Sequence, residues 1–156
     1  GPESPSTDYG YIKVGQPVDE TRDHLFEVER FVEKPDSDRA KDYLDAGGYL
    51  WNSGMFVWTV STILREIAQH MPALFQPLSL ITSPHDLLDG ELMRSFFDAV
   101  PSGSIDHGVM EHSGHTLVVE AEFEWSDLGS FQNIKMLADR GLLMPSPDVD
   151  KILSSL

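Results

Sequence analysis

The sequence predicts an α/β fold, one sheet of mixed direction with flanking helices. Three observations lead there. Strand-type and helix-type patterns interleave along the chain instead of separating into blocks. The chain has 156 residues, the length of one domain with a real core. Hydrophobic residues make up 40% and aromatic ones 10%, a composition of packed proteins and not of disordered ones. No repeat, low-complexity stretch or linker divides it, so residues 1–156 are expected to form a single domain.

The elements follow in order. Residues 1–10 are rich in Pro, Ser and Gly and read as a loop leading into a short strand, Tyr11 to Val14. From Leu25 to Val32, Phe26, Val28 and Phe31 interleave with Glu27, Glu29 and Arg30, a loose period of two that predicts a strand. Pro35, which cannot donate to a ladder, stops it. Pro35-Asp36-Ser37-Asp38 then offers cap chemistry for a helix over Asp38 to Ala46, and Gly47-Gly48 ends it. Met55 to Val60 is a compact apolar run containing Phe56, Val57 and Trp58, too short for an ordinary helix and rich in β formers; it predicts a buried strand. Ser61 reads as an N-cap, after which Ile63, Leu64, Ile67, Ala68 and Met71 recur at helical spacing until Pro72.

Leu92, Met93, Phe96 and Phe97 predict an amphipathic helix from Gly90 to Ala99. A short helix is expected over Ile105 to Glu111, a strand over Thr116 to Glu120 and a helix over Phe131 to Asp139. From Leu142 the chain carries Pro145 and Pro147, and residues 142–156 are expected to form a frayed tail or to dock elsewhere.

Charge excludes some partners. With 11 Lys and Arg against 26 Asp and Glu the net charge is −15, which argues against a nucleic-acid backbone or an anionic membrane surface, since both need clustered cations. No apolar run approaches a membrane span, and Gly1-Pro2-Glu3-Ser4-Pro5 has neither the basic nor the apolar region of a signal peptide. The chain has no cysteine, hence no disulfide framework, in keeping with a cytoplasmic location. It also starts without methionine, as a processed chain or a piece of a longer one would.

Three segments gather unusual residues at strand ends or loops. In Phe31-Val32-Glu33-Lys34-Pro35 the strand delivers a carboxylate suited to sugar hydroxyls and a compact cation suited to phosphate. Alternation along a strand would point Glu33 and Lys34 to opposite faces and keep them from neutralising each other. On spacing alone a solvated charge pair remains open. Leu50-Trp51-Asn52-Ser53-Gly54-Met55-Phe56 offers the Asn52 amide, the Ser53 hydroxyl and the close approach that Gly54 permits; the alternative is a turn before a core strand. In Glu124-Trp125-Ser126-Asp127-Leu128-Gly129-Ser130, Asp127 can cap a helix or hold a hard cation through oxygen. The six histidines, His107 among them, lack zinc spacing and read as bland.

Taken in order, these segments resemble the mannose-1-phosphate guanylyltransferases. The resemblance rests on Pro2-x-x-Pro5-x-Thr7-x-Tyr9-Gly10-Tyr11-Ile12, Phe31-Val32-Glu33-Lys34-Pro35, Trp51-Asn52-Ser53-Gly54-Met55-Phe56, Ser104-Ile105-Asp106-x-x-Val109-Met110-Glu111 and Trp125-Ser126-Asp127-Leu128-Gly129-Ser130. It covers residues 2 to about 138, nearly the whole chain.

It implies a Rossmann-like nucleotide-diphospho-sugar transferase fold and an enzyme that joins GTP and mannose 1-phosphate into GDP-mannose and pyrophosphate with magnesium (Mg2+). Matched residue by residue, it implies Tyr9 and Gly10 beside the sugar, Glu33 on its hydroxyls and Lys34 on its 1-phosphate. It further implies Asn52 against the sugar, with Ser53 and Gly54 shaping that wall, and Asp127 as one of two aspartates on magnesium. Lys34 and Asp127 would be the catalytic pair. For Asp106 and Glu111, packing and loop ordering stand level with a role in the site.

The departure is that the family's Gly-rich nucleotide loop, Gly-Gly-x-Gly-Thr-Arg-Leu, is not in these residues, nor is the other aspartate. The expectation is therefore a partial sheet, lacking its N-terminal nucleotide-binding half, with strand edges exposed or joined to a second copy in a homo-oligomer. Such a chain would bind sugar phosphate weakly and be inactive alone. The competing readings are a pyrophosphorylase for another sugar 1-phosphate and a non-catalytic sugar-phosphate-binding module.

Overall fold

The computed structural model describes residues 1–142, apart from 20, 124, 128 and 130, together with residue 151. The chain divides into two compact units, Gly1–Glu120 and Ala121–Leu156. Apart from Leu142 and Lys151, the expected tail over 142–156 lies outside the described residues.

In the first unit the order is β1 (Tyr11–Pro17), β2 (Leu25–Val32), α1 (Ser37–Ala46), β3 (Tyr49–Trp51), α2 (Val60–His70), α3 (Pro72–Leu78), α4 (Gly90–Ala99) and β4 (Leu117–Val119), with a π-helical turn over Asp106–Met110. The strands form a four-stranded sheet in the order β3-β1-β2-β4. Every neighbouring pair is antiparallel, which corrects the expectation of a mixed sheet. The reason is topological. The helical crossover through α1 does return β3 in the direction of β2, but β1 lies between them, so no parallel pair of neighbours forms.

Tyr11 and Ile12 are adjacent and therefore face opposite sides of the sheet, yet both are buried. On one side Ile12 and Phe31 pack with Ile67 of α2 and with Val109 and Met110 of the π-turn. On the other, the Tyr11 ring lies 5.5 Å from Tyr43 of α1, which stacks on Tyr49 at 4.4 Å. Helices thus cover both faces.

The caps explain the helix limits. Asp36 accepts from the Arg39 N–H at 2.9 Å to start α1, and Gly47, at φ 67°, ends it. Asp89 accepts from the Glu91 and Leu92 N–H groups at 3.0 and 3.1 Å, which fixes the start of α4. For α2 the cap is Thr59, not Ser61 as expected: its hydroxyl accepts from the Thr62 N–H at 3.2 Å, so the helix begins at Val60. Pro72 ends α2 and then opens α3, where a missing N–H costs nothing.

The buried strand expected over Met55 to Val60 does not form. Gly54 turns the chain away from β3 at φ 73°, and Thr59 starts α2 before a strand could extend. Only Phe56 of this run packs against the core, while Val57 is 99% exposed. The short helix expected over Ile105 to Glu111 is instead wound as a π-turn, closed by the Glu111 N–H on the Asp106 carbonyl at 3.0 Å.

In the second unit α5 spans Phe131–Asp139, as the sequence predicts. Gly141, at φ 71°, closes its C-terminal end, where the Leu142 N–H donates to the Leu137 carbonyl at 2.9 Å. Among the described residues no helix is long and apolar enough to cross a membrane.

Candidate functional site

Register gathers the first two motifs. Tyr11 pairs with Val32 on one side and with Trp51 on the other. One step beyond each of these residues lie Gly10, Glu33 and Asn52, so three segments distant in sequence end side by side. The Asn52 N–H donates to the Gly10 carbonyl at 2.8 Å. A Cβ added at Gly10 would come within 2.6 Å of Glu33 Oε2 and 3.1 Å of the Asn52 Cβ. Gly10 is therefore glycine for space, so that a carboxylate and an amide can close over it. Tyr9 flanks the group with its ring 4.9 Å from that of Trp51.

Glu33 is nearly buried, and its Oε2 has no hydrogen-bond partner among the described residues. Such an orphaned acceptor costs about 1–3 kcal/mol. Burial pushes its carboxyl above the ordinary glutamate range, Asp106 and Glu111 add to the rise, and Lys34 and His107 oppose it. Lys34 does not point away from Glu33 as strand alternation predicted. Its Nζ lies 3.8 Å from Glu33 Oε1, because Lys34 takes a left-handed backbone, φ 44°, and leaves the pleat. Its side chain stays 60% exposed, which leaves the ammonium open to a ligand.

Asn52 is held at both ends of its amide. Nδ2 donates to Asp106 Oδ1 at 3.1 Å, and Oδ1 accepts from the Gly54 N–H at 3.0 Å. The Ser53 hydroxyl accepts from the Met55 N–H at 3.4 Å. Gly54 has open space where a Cβ would lie, so its positive φ, and not a close neighbour, asks for glycine.

Asp106 and Glu111 belong to this group. Glu111 Oε1 accepts from the Glu33 N–H at 2.8 Å, and its Oε2 lies 3.4 Å from His107 Nδ1. The histidine read as bland in the sequence thus lies against Glu111 at the edge of the site. The spacing of His107 and Glu111, four residues apart, was the available signal.

Asp127 lies in the second unit, exposed, with Oδ1 accepting from the Gly129 N–H at 3.0 Å and its carbonyl accepting from Asn133 Nδ2 at 3.0 Å. Among the described residues no group of three or more His, Cys, Asp or Glu is arranged to hold a metal. Magnesium takes one or two carboxylates and completes its shell with water and phosphate oxygens. One exposed aspartate fits a single place in that shell.

A sheet with helices on both faces and polar side chains gathered at its strand ends defines an α/β domain with its site at a sheet end, and the comparison with known sequences gives the class. The chain belongs to the nucleotidyl transferase family, whose sequence profile matches residues 1–139. Within that family it is similar to the mannose-1-phosphate guanylyltransferase of Escherichia coli, 36% identical over 141 residues, covering 83% of this chain and 28% of that protein. It is also 39% identical over 138 residues to the alginate biosynthesis protein AlgA of Pseudomonas syringae pv. tomato, covering 83% of this chain and 27% of that one. Among solved structures it is similar to one described as a mannose-1-phosphate geranyltransferase from Thermus thermophilus, with TM-score 0.72 and 31% identity over 88% of this chain and 38% of that chain. The chain spans less than a third of the length of the curated relatives it matches.

Proposed function

We propose that this chain forms the sugar-phosphate side of a guanylyl transfer in which mannose 1-phosphate and GTP give GDP-mannose and pyrophosphate. The observation that carries the reading is the buried, orphaned Glu33 oxygen beside the Asn52 amide, with an exposed ammonium one residue on. Ligand hydroxyls are the natural donors for that oxygen, and a phosphate is the natural partner for Lys34. The names of the relatives support mannose 1-phosphate as the sugar phosphate.

In this reading Lys34 holds the 1-phosphate and, by neutralising it, lets its oxygen approach the nucleotide α-phosphorus; no covalent nucleophile on the protein is required. Glu33 and Asn52 fix the sugar ring, Tyr9 and Gly10 lie along it, and Ser53 and Gly54 shape the adjoining wall. Asp127 is the residue that would offer one ligand to magnesium, and the ion would supply charge neutralisation on the phosphates. A cytoplasmic location goes with this reading, in keeping with a chain without cysteine.

Titration of the chain with mannose 1-phosphate, other sugar 1-phosphates and GTP, followed by NMR, tests the reading. Saturable binding of mannose 1-phosphate, weakened about ten- to a hundredfold by Lys34→Ala, is expected, since a charge-assisted contact contributes roughly 1.5–3 kcal/mol. Equal loss for GTP and sugar phosphate would overturn the assignment of Lys34. Preference for another sugar 1-phosphate would move the reading to that substrate.

A further inference from the structure

We infer that Asp106 and Glu111 are positioning residues: Asp106 orients the Asn52 amide and Glu111 holds the main chain of Glu33, so that the two sugar-binding groups are fixed before the ligand arrives. The inference rests on the sugar-phosphate reading of Glu33 and Asn52.

The chemistry of the Asp106–Asn52 contact is directional. An ionised carboxylate only accepts, so the atom facing Asp106 Oδ1 at 3.1 Å must be Nδ2. Asn52 Oδ1 is then turned to the Gly54 N–H at 3.0 Å. With both ends engaged the amide cannot flip, and it offers a ligand one remaining N–H and one remaining lone pair in fixed directions. Without Asp106, the amide would be held only by the Gly54 N–H on Oδ1, and Nδ2 would lose the acceptor that fixes its direction.

Glu111 does for a backbone what Asp106 does for a side chain. β2 ends at Val32, and Lys34 leaves the extended conformation at φ 44°. The sheet therefore stops supplying partners where the Glu33 N–H needs one. Glu111 Oε1 accepts it at 2.8 Å, while Oε2 is steadied by His107 Nδ1 at 3.4 Å.

Both carboxylates come from one π-turn, and that turn is anchored. Val109 and Met110 are buried against Ile12 and Phe31, residues of the very strands whose ends carry the site. A neutral side chain could make either bond without placing negative charge beside Glu33. The use of two carboxylates there disfavours the ionised form of Glu33, a cost to the fold that a purely structural brace would avoid.

The experiment uses the whole chain, with mannose 1-phosphate as the probe and the Asn52 side-chain amide as an NMR reporter. Asp106→Ala and Glu111→Ala are expected to raise Kd about tenfold each, the worth of one hydrogen bond to a charged group. Asp106→Asn and Glu111→Gln keep an accepting carbonyl and are expected to return Kd to within about threefold of wild type. Before any ligand is added, Asp106→Ala should move the Asn52 amide pair toward the shifts of a free side-chain amide. Should an alanine variant not fold, Asp106→Ser or Glu111→Ser, too short to reach, takes its place.

Unchanged Kd in the truncated variants, with wild type binding saturably, would overturn the positioning role and leave the sugar-phosphate reading standing. So would losses that Asn and Gln do not recover and that simply follow the thermal midpoint. Absence of saturable binding by wild type would overturn the sugar-phosphate reading and the positioning role with it.

Discussion

The Glu33 carboxyl is held above its ordinary range first by burial and then by Asp106, with Glu111 also pushing upward. A raised carboxyl binds its proton more tightly in the folded chain than in the unfolded one, so stability falls as pH rises from the ordinary glutamate value through the raised one. Thermal melts across that window should show the fall. Glu33→Gln removes the titration, so its melting curve should flatten over the same window and lie above wild type at pH 7; a variant with the wild-type slope would contradict the account. Lys34 invites a second test, because its φ of 44° is strained for a lysine. Lys34→Gly relieves that strain while enlarging the unfolded ensemble, so stability by urea denaturation should change by less than about 1 kcal/mol. Sugar-phosphate affinity should nonetheless fall about tenfold or more, because the ammonium is gone. The sequence marked Glu33 and Lys34 as a pair, but not their approach to 3.8 Å. Strand alternation governs only residues that remain in the pleat, and nothing about a lysine announces that it leaves.

At the scale of elements, β2 and α4 were legible, because alternation and helical apolar spacing each leave a local signature. Met55 to Val60 misled for a physical reason. Apolar and β-prone composition reports what a segment could bury, whereas Gly54 and Thr59 decided where the chain went. Gly54→Ala should cost about 1–2 kcal/mol through its left-handed backbone, and Thr59→Ala about 1 kcal/mol through the lost cap; urea unfolding measures both. The π-turn was hidden more deeply. In an α-helix, residues five apart point about 140° away from each other, so Asp106 and Glu111 read as belonging to different faces. Winding the turn from i to i+5 brings them back to one side, where both reach the ends of the strands.

For the molecule as a whole, the α/β class followed from interleaved strand and helix patterns, and the grouping of Gly10, Glu33 and Asn52 was implied by the family resemblance. The antiparallel topology did not, since interleaved strands and helices describe a split crossover as well as a direct one. The 156-residue chain carries Lys34, Asn52 and Asp127 but no Gly-rich nucleotide loop. Purified alone, it is expected to release no pyrophosphate from GTP and mannose 1-phosphate while still binding the sugar phosphate. The nucleotide would not be positioned, and positioning is worth about 7–11 kcal/mol of a bimolecular barrier. Robust turnover by the chain alone, in a pyrophosphate-release assay, would overturn this.

The register around Tyr11 has a consequence for how such a chain can change over generations. Because Gly10, Glu33 and Asn52 each sit one step past a residue paired at Tyr11, or are Tyr11's own neighbour, the site tolerates exchange of letters better than a change of spacing. One codon gained or lost between Arg30 and Glu33 would turn the Glu33 side chain to the opposite face. The same codon in the connection over 18–24 would merely lengthen a surface bend. A library of single-residue insertions selected for sugar-phosphate binding should therefore recover survivors in that bend and almost none at the strand ends, whatever the amino acid inserted.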